Sequence, residues 1–129
     1  MVPAFRQPIL EPSPMIVTLW HNPKCSTSRR VLADLQAGGH EVQVVEYLKT
    51  PPDRAALVDM LAALKARPAD ILRRRGNDDL LANEPAGGYG DEALLDLMVE
   101  HPILIERPIA RSPKGAVLCR PAERLAEVL

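Results

Sequence analysis

The spacing of apolar positions changes character along the chain. Met15-Ile16-Val17-Thr18-Leu19-Trp20 is a short apolar run and predicts a strand. Beyond a polar stretch, Val31, Leu32 and Leu35 recur at helical spacing. They predict a helix to about Gln36, stopped by Gly38 and Gly39. The β-branched Val42, Val44 and Val45 predict a second strand over 41–47. Strand, helix and strand joined by short connections form a β-α-β unit with parallel strands. Thr50-Pro51-Pro52-Asp53 has the form of a helix start, with Thr50 as cap, Pro51 at the first helical position and Asp53 completing a capping box. Leu57, Met60, Leu61 and Leu64 form the stripe of that helix, which Arg67-Pro68 breaks. A short helix is expected over 69–73, then a polar, glycine-rich stretch over 74–90. Asp91 caps a further helix with Leu94, Leu95 and Met98 on one face, ending near His101-Pro102. Strands over 109–111 and 116–119 flank the turn residues Ser112-Pro113-Lys114-Gly115, and Pro121 opens a last helix over 122–129. The element order predicts an α/β fold: a thioredoxin-like mixed sheet of four strands with helices on both faces and an all-helical insert over about 51–101. Residues 1–14 carry Pro3, Pro8, Pro12 and Pro14 without periodicity and read as a proline-rich tail, which leaves 15–129 as the domain.

Composition narrows the function. The 129 residues suffice for one domain. Aromatic residues are 3%, too few for a row of base-stacking platforms or an aromatic cage. A formal net charge of -1 supplies no field for nucleic acid or an anionic membrane surface, so neither is an expected partner. No apolar run approaches the ~20 residues of a membrane span, and the prolines near the N-terminus interrupt any signal-peptide core. Two cysteines are no disulfide framework, and the expected compartment is the reducing cytoplasm. His21, His40 and His101 are scattered, so no metal site is expected, and no phosphate-binding glycine loop is present. Within the balanced charge, 12 of the 16 basic residues are arginine, whose planar fork suits oxyanions.

The chemistry concentrates at Cys25. It lies where the first strand crosses to the first helix, so the free amides and positive dipole end of the helix should lower its pKa below ~8.5. The same amides are placed to receive the oxygens of a bound oxyanion, with the hydroxyls of Ser26, Thr27 and Ser28 beside them. The alternative is a buried core thiol, which the polar surroundings oppose. His21 either adds positive charge or only hydrogen-bonds the loop, and Ser28 serves either the thiol or the backbone. The position three after Cys25 is Ser28, so there is no Cys-x-x-Cys, and any resolving thiol comes from elsewhere. Cys119, ending an apolar strand, reads as a buried small hydrophobe.

The arginines supply the oxyanion site. Arg107 precedes Pro108 before the third strand, and in a thioredoxin-like sheet that loop lies beside the N-terminus of the first helix. The Arg107-Pro108 bond is expected to be cis. Arg120 follows the fourth strand, and Arg73, Arg74 and Arg75 are expected to end the short helix of the insert. Arg73, Arg107 and Arg120 converging on a thiolate would lower its pKa and hold a divalent oxyanion. Arg74 and Arg75 read as a solvated helix end.

The stretch His21-Asn22-Pro23-Lys24-Cys25-Ser26-Thr27-Ser28-Arg29 resembles the active-site loop of the glutaredoxin-coupled arsenate reductases, the ArsC family. Ile71-Leu72-Arg73-Arg74, the segment from His101 to Ile109, and Leu118-Cys119-Arg120-Pro121 resemble three further signatures of that family, in the same order. The resemblance covers about 15–129. It implies that Cys25 attacks arsenate, that His21 helps keep it a thiolate, and that Ser28 hydrogen-bonds it. It implies that Arg73, Arg107 and Arg120 bind arsenate, with Ser26 and Thr27 at the same anion site. It further implies no bound cofactor, glutathione as cosubstrate, glutaredoxin as the partner that resolves the adduct, and a monomer. Departures are Ser26 for the usual glycine, Lys24 for a smaller residue, and Gly76-Asn77-Asp78-Asp79 for the family's Asn-x-Glu. Two other functions are consistent with this fold: a glutathione-linked thiol reductase acting on another substrate, and a redox-sensing transcription regulator binding RNA polymerase. Regulators of that kind usually carry the Cys-x-x-Cys that Ser28 interrupts here.

Overall fold

The computed structural model describes residues 14–129. The proline-rich tail, Pro14 excepted, lies outside the described residues. β1 (Ile16–His21), α1 (Ser26–Ala37) and β2 (Glu41–Glu46) form a β-α-β unit whose strands run parallel. β3 (Ile109–Ser112) lies antiparallel against the other side of β1, and β4 (Gly115–Leu118) pairs antiparallel with β3. The sheet order is β2-β1-β3-β4, a mixed four-stranded sheet of α/β class. β1 is central because Val17 and Leu19 face one side and Trp20 the other, so both faces of the strand are covered.

The alternation along the strands divides the core. Val17, Leu19, Ala110 and Val117 meet Val31 and Leu35 of α1 together with Leu125 and Val128 near the C-terminus. Trp20 and Ile109 meet Leu57, Met60 and Leu61 of α2 (Arg54–Leu64), Met98 of α3 (Asp91–Glu100), and Leu104 and Ile105. Each fully buried aliphatic side chain contributes about 1.5–3 kcal/mol relative to exposure, so both layers are tied to the sheet by packing. Among the described residues no helix is long and apolar enough to cross a membrane.

Four expectations are corrected, the first being the cap of α3, which is Gly90, with Asp91 as the first helical residue. α2 is capped by Asp53, not Thr50: Asp53 Oδ1 accepts a hydrogen bond from Ala56 N at 2.8 Å, and the helix begins at Arg54. Thr50 and Pro51 each precede a proline, which steers both away from helical backbone angles. The short helix is a 3₁₀ helix over Pro68–Ile71, not 69–73. Leu72 leaves it to bridge Ile105, so Arg73, Arg74 and Arg75 lie beyond the helix. The last helix is likewise 3₁₀, over Ala122–Val128, after a second cis bond at Arg120-Pro121. The Arg107-Pro108 bond is cis, as expected. Residues 74–90 form turns, and Asn77 within them is buried, its Nδ2 donating to the Arg73 carbonyl at 2.8 Å.

Candidate active site

Asn22 shapes the loop between β1 and α1. Its Oδ1 accepts from Lys24 N at 2.9 Å, its carbonyl accepts from Cys25 N at 3.0 Å, and its own N–H donates to Ser28 Oγ at 3.3 Å. These three bonds turn the chain through Pro23 and Lys24 and set Cys25 in extended conformation as the N-cap of α1. The half-buried sulfur therefore faces the unpaired amides of the first helical turn.

Opposing effects act on this thiol. Burial raises its pKa, but the N–H groups of Ser28 and Thr27 and the guanidinium of Arg107 outweigh that and bring it down to about 7. No amide closes a capping hydrogen bond to the sulfur, so their effect is that of oriented dipoles. Near neutral pH a large fraction of Cys25 is thiolate.

Two arginines converge on it. Arg120 Nη1 lies 4.0 Å from Cys25 Sγ and donates to the Arg107 carbonyl at 3.1 Å. Arg107 lies beside both Cys25 and the phenol of Tyr47, and its Nε and Nη1 are buried without a hydrogen-bond partner. Unsatisfied buried guanidinium donors are costly, and such donors next to a thiolate form a receptor for an anion. The third arginine is one step removed: Arg73 Nη1 donates to Glu106 Oε1 at 2.9 Å, and Glu106 Oε2 lies 4.0 Å from Arg120 Nε. Arg74 turns away to pair with Glu84 through Nη1 and Nη2, each at 2.8 Å, and Arg75 is exposed.

His21 is buried at the end of β1, opposite Glu46 in the strand register. Burial lowers its pKa, Glu46 pulls the other way and Arg29 adds to the lowering. The lowering favours the neutral imidazole. Its Nδ1 is buried and unpartnered. Ser28 is fully buried and serves the loop through its hydroxyl, while its N–H serves the sulfur. Thr27 acts through its N–H. Ser26 is exposed and, with Thr27, lines a shallow cleft bounded by Arg30, Pro121 and Glu123.

Sequence reasoning missed three residues. Asn22 carried a signal, since Asn-Pro marks a turn in which the side chain bonds the following backbone. Glu106 adjoins Arg107, but nothing local says that its carboxylate spans Arg73 and Arg120. Tyr47 ends the second predicted strand. It is fully buried beneath the site, its hydroxyl donates to the Ile105 carbonyl at 3.0 Å, and burial pushes its pKa up to about 12.

Comparison with known proteins places this geometry. The model of the ArsC family matches residues 20–128. A protein of Rhizobium meliloti (strain 1021) named arsenate reductase is 46% identical over 117 residues, covering 89% of this chain and 82% of that one. The arsenate reductase of Escherichia coli (strain K12) is 38% identical over 113 residues, covering 88% of this chain and 80% of the other. Among solved structures, the arsenate reductase from Vibrio cholerae superposes with a TM-score of 0.81 at 36% identity, covering 90% of this chain and 99% of that one.

Proposed function

The chain belongs to the ArsC family, and from that premise we propose that it reduces arsenate to arsenite, with Cys25 as nucleophile and glutathione and glutaredoxin as the sources of electrons. The observation that carries this reading is one thiol of pKa about 7 beside two guanidiniums, one of them with buried, unpartnered donors.

The oxyanion is bound by Arg107 Nε and Nη1, by Arg120 and by the amides of Thr27 and Ser28. The Cys25 thiolate forms a bond to arsenic, and one arsenate oxygen, with two protons, leaves as water. Arsenic stays pentavalent in this step. Charge builds on the remaining oxygens, where fixed guanidinium and amide donors stabilise it without reorganising. Glutathione then displaces a second oxygen as water, forming a second sulfur–arsenic bond. A glutaredoxin thiolate attacks the glutathione sulfur, that sulfur–arsenic bond breaks, and its electron pair reduces arsenic to the trivalent state. The products are a glutaredoxin–glutathione disulfide and, on hydrolysis of the Cys25–arsenic bond, arsenite. Ser28 serves the nucleophile through its N–H, and its hydroxyl holds the loop. His21 packs the base of the loop, Ser26 and Thr27 edge the anion site, and Arg73 joins the cradle through Glu106.

The same reading places the protein in a reducing cytoplasm, as a monomer without bound cofactor, with residues 1–14 as a tail appended to the catalytic domain. Cys25 has no dithiol partner three residues on, which supports a resolving thiol from another molecule. The deciding assay is NADPH oxidation with glutathione, glutaredoxin and glutathione reductase. Arsenate-dependent turnover is expected, and its absence overturns the proposal.

A further inference from the structure

Three arginines around one thiolate would make a strongly cationic receptor, but the cradle already contains an anion. Glu106 Oε1 accepts from Arg73 Nη1 at 2.9 Å and its Oε2 lies 4.0 Å from Arg120 Nε. The three side chains are 16%, 21% and 33% exposed for Arg73, Glu106 and Arg120, so their charges interact through a partly dry medium. Arg120 in turn stands 4.0 Å from Cys25 Sγ, which leaves the carboxylate one guanidinium away from the reacting sulfur.

Glu106 is not needed to hold the segments together. The backbone joins them already: Arg73 N donates to the Leu104 carbonyl and Glu106 N to the Ile71 carbonyl, each at 2.8 Å, with Leu72 and Ile105 bridged between. Asn77 holds the Arg73 carbonyl from the other side. The carboxylate can therefore be judged by its charge. With Arg73, Arg107, Arg120, the Cys25 thiolate and Glu106 all ionised, the cluster carries one net positive charge, and without Glu106 it would carry two.

We propose that Glu106 sets the affinity of the anion site: a built-in counter-anion that occupies Arg73 and Arg120 and weakens non-covalent binding of divalent oxyanions. This rests on the arsenate reading above and adds to it. Phosphate and arsenate share charge and tetrahedral shape, so stronger charge attraction would fill the site with either. Binding both equally does nothing for selection, whereas the sulfur–arsenic bond is open to arsenate alone. A carboxylate that holds down ground-state affinity leaves selection to that covalent step.

The test is protection of Cys25 from iodoacetamide by inorganic phosphate, at about pH 8, above the midpoint of the thiol. In Glu106→Gln, half-protection should require roughly tenfold less phosphate than in the wild type, since one repelling charge in a half-buried site is gone. Glu106→Asp keeps the charge and should need as much phosphate as the wild type. Equal or greater phosphate requirement in Glu106→Gln, or no protection in either protein, overturns the proposal. If Gln and Asp both weaken protection, the ion pair is structural and the proposal also falls. Because the readout uses phosphate and alkylation, it stands apart from arsenate turnover: a tenfold gain without turnover would refute the substrate reading and leave the counter-anion role intact.

Discussion

Cys25 and Cys119 carry the same thiol and occupy opposite environments. Cys25 is half-buried at a helix N-terminus, and the amides of Ser28 and Thr27 and the guanidinium of Arg107 bring it down to about 7 against the effect of burial. Cys119 is fully buried in the layer shared with Val31, Leu35 and Leu125, and that burial pushes its pKa up to about 12. Its thiol lies 3.8 Å from the Val117 carbonyl, and the Ala110 N–H lowers the pKa without offsetting burial. Burial raises both pKa values and is deeper at Cys119, so the outcome turns on how many donors oppose it. Two amides and a guanidinium outweigh burial at Cys25, whereas the single Ala110 N–H at Cys119 does not.

The largest test of that contrast is deletion of each thiol. Cys25→Ser should reduce arsenate turnover to background in the coupled assay, while Cys119→Ser keeps most of it. Equal loss in both would make Cys119 the resolving thiol. Next in size is Arg107→Lys, which keeps the charge and loses the fork, and should cost roughly ten- to a hundredfold in kcat/KM. It should also raise the pH midpoint of Cys25 alkylation, and unchanged kinetics would contradict the Arg107 donors as the anion receptor. A smaller effect is the pH dependence itself. Because the thiolate reacts, iodoacetamide labelling of Cys25 should fall about tenfold per pH unit below its midpoint near 7 and level off above it. Cys119 should remain unlabelled in the folded protein over the same range, as peptide mass spectrometry would show. The smallest expected effect is on stability: Cys119→Ser buries a hydroxyl among aliphatic side chains and should cost about 1–3 kcal/mol in urea unfolding. Cys25→Ser, at its half-exposed position, should cost less.

The contrast between the cysteines was legible in the chain before the fold was known. Cys25 stands in a polar stretch between a strand signal and a helix signal, and Cys119 ends an apolar run, so local pattern separated helix-cap chemistry from packing. The parallel β1–β2 unit and the hairpin of β3 and β4 were legible for similar reasons, and the cis bond before Pro108 followed from the thioredoxin-like layout they implied. The start of α2 was misread because two prolines in sequence admit two registers for the cap, and only the Asp53-to-Ala56 hydrogen bond selects one. The 3₁₀ form of the segment before Arg73 was not legible either, since its end is decided by the bridge from Leu72 to Ile105, 33 positions away.

The arginines mark the boundary. Local pattern alone placed Cys25 at a helix start, and likeness to a thioredoxin-like sheet, read from the order of elements, implied that Arg107 and Arg120 would return to it. Which arginine donors remain free was a matter of three-dimensional distance. Arg74 is held by Glu84 and Arg73 by Glu106, whereas Arg107 keeps Nε and Nη1 buried and unpartnered. Whether a guanidinium receives a substrate or a neighbouring carboxylate depends on ångström-scale contacts between residues far apart in the chain, and periodicity carries no record of those.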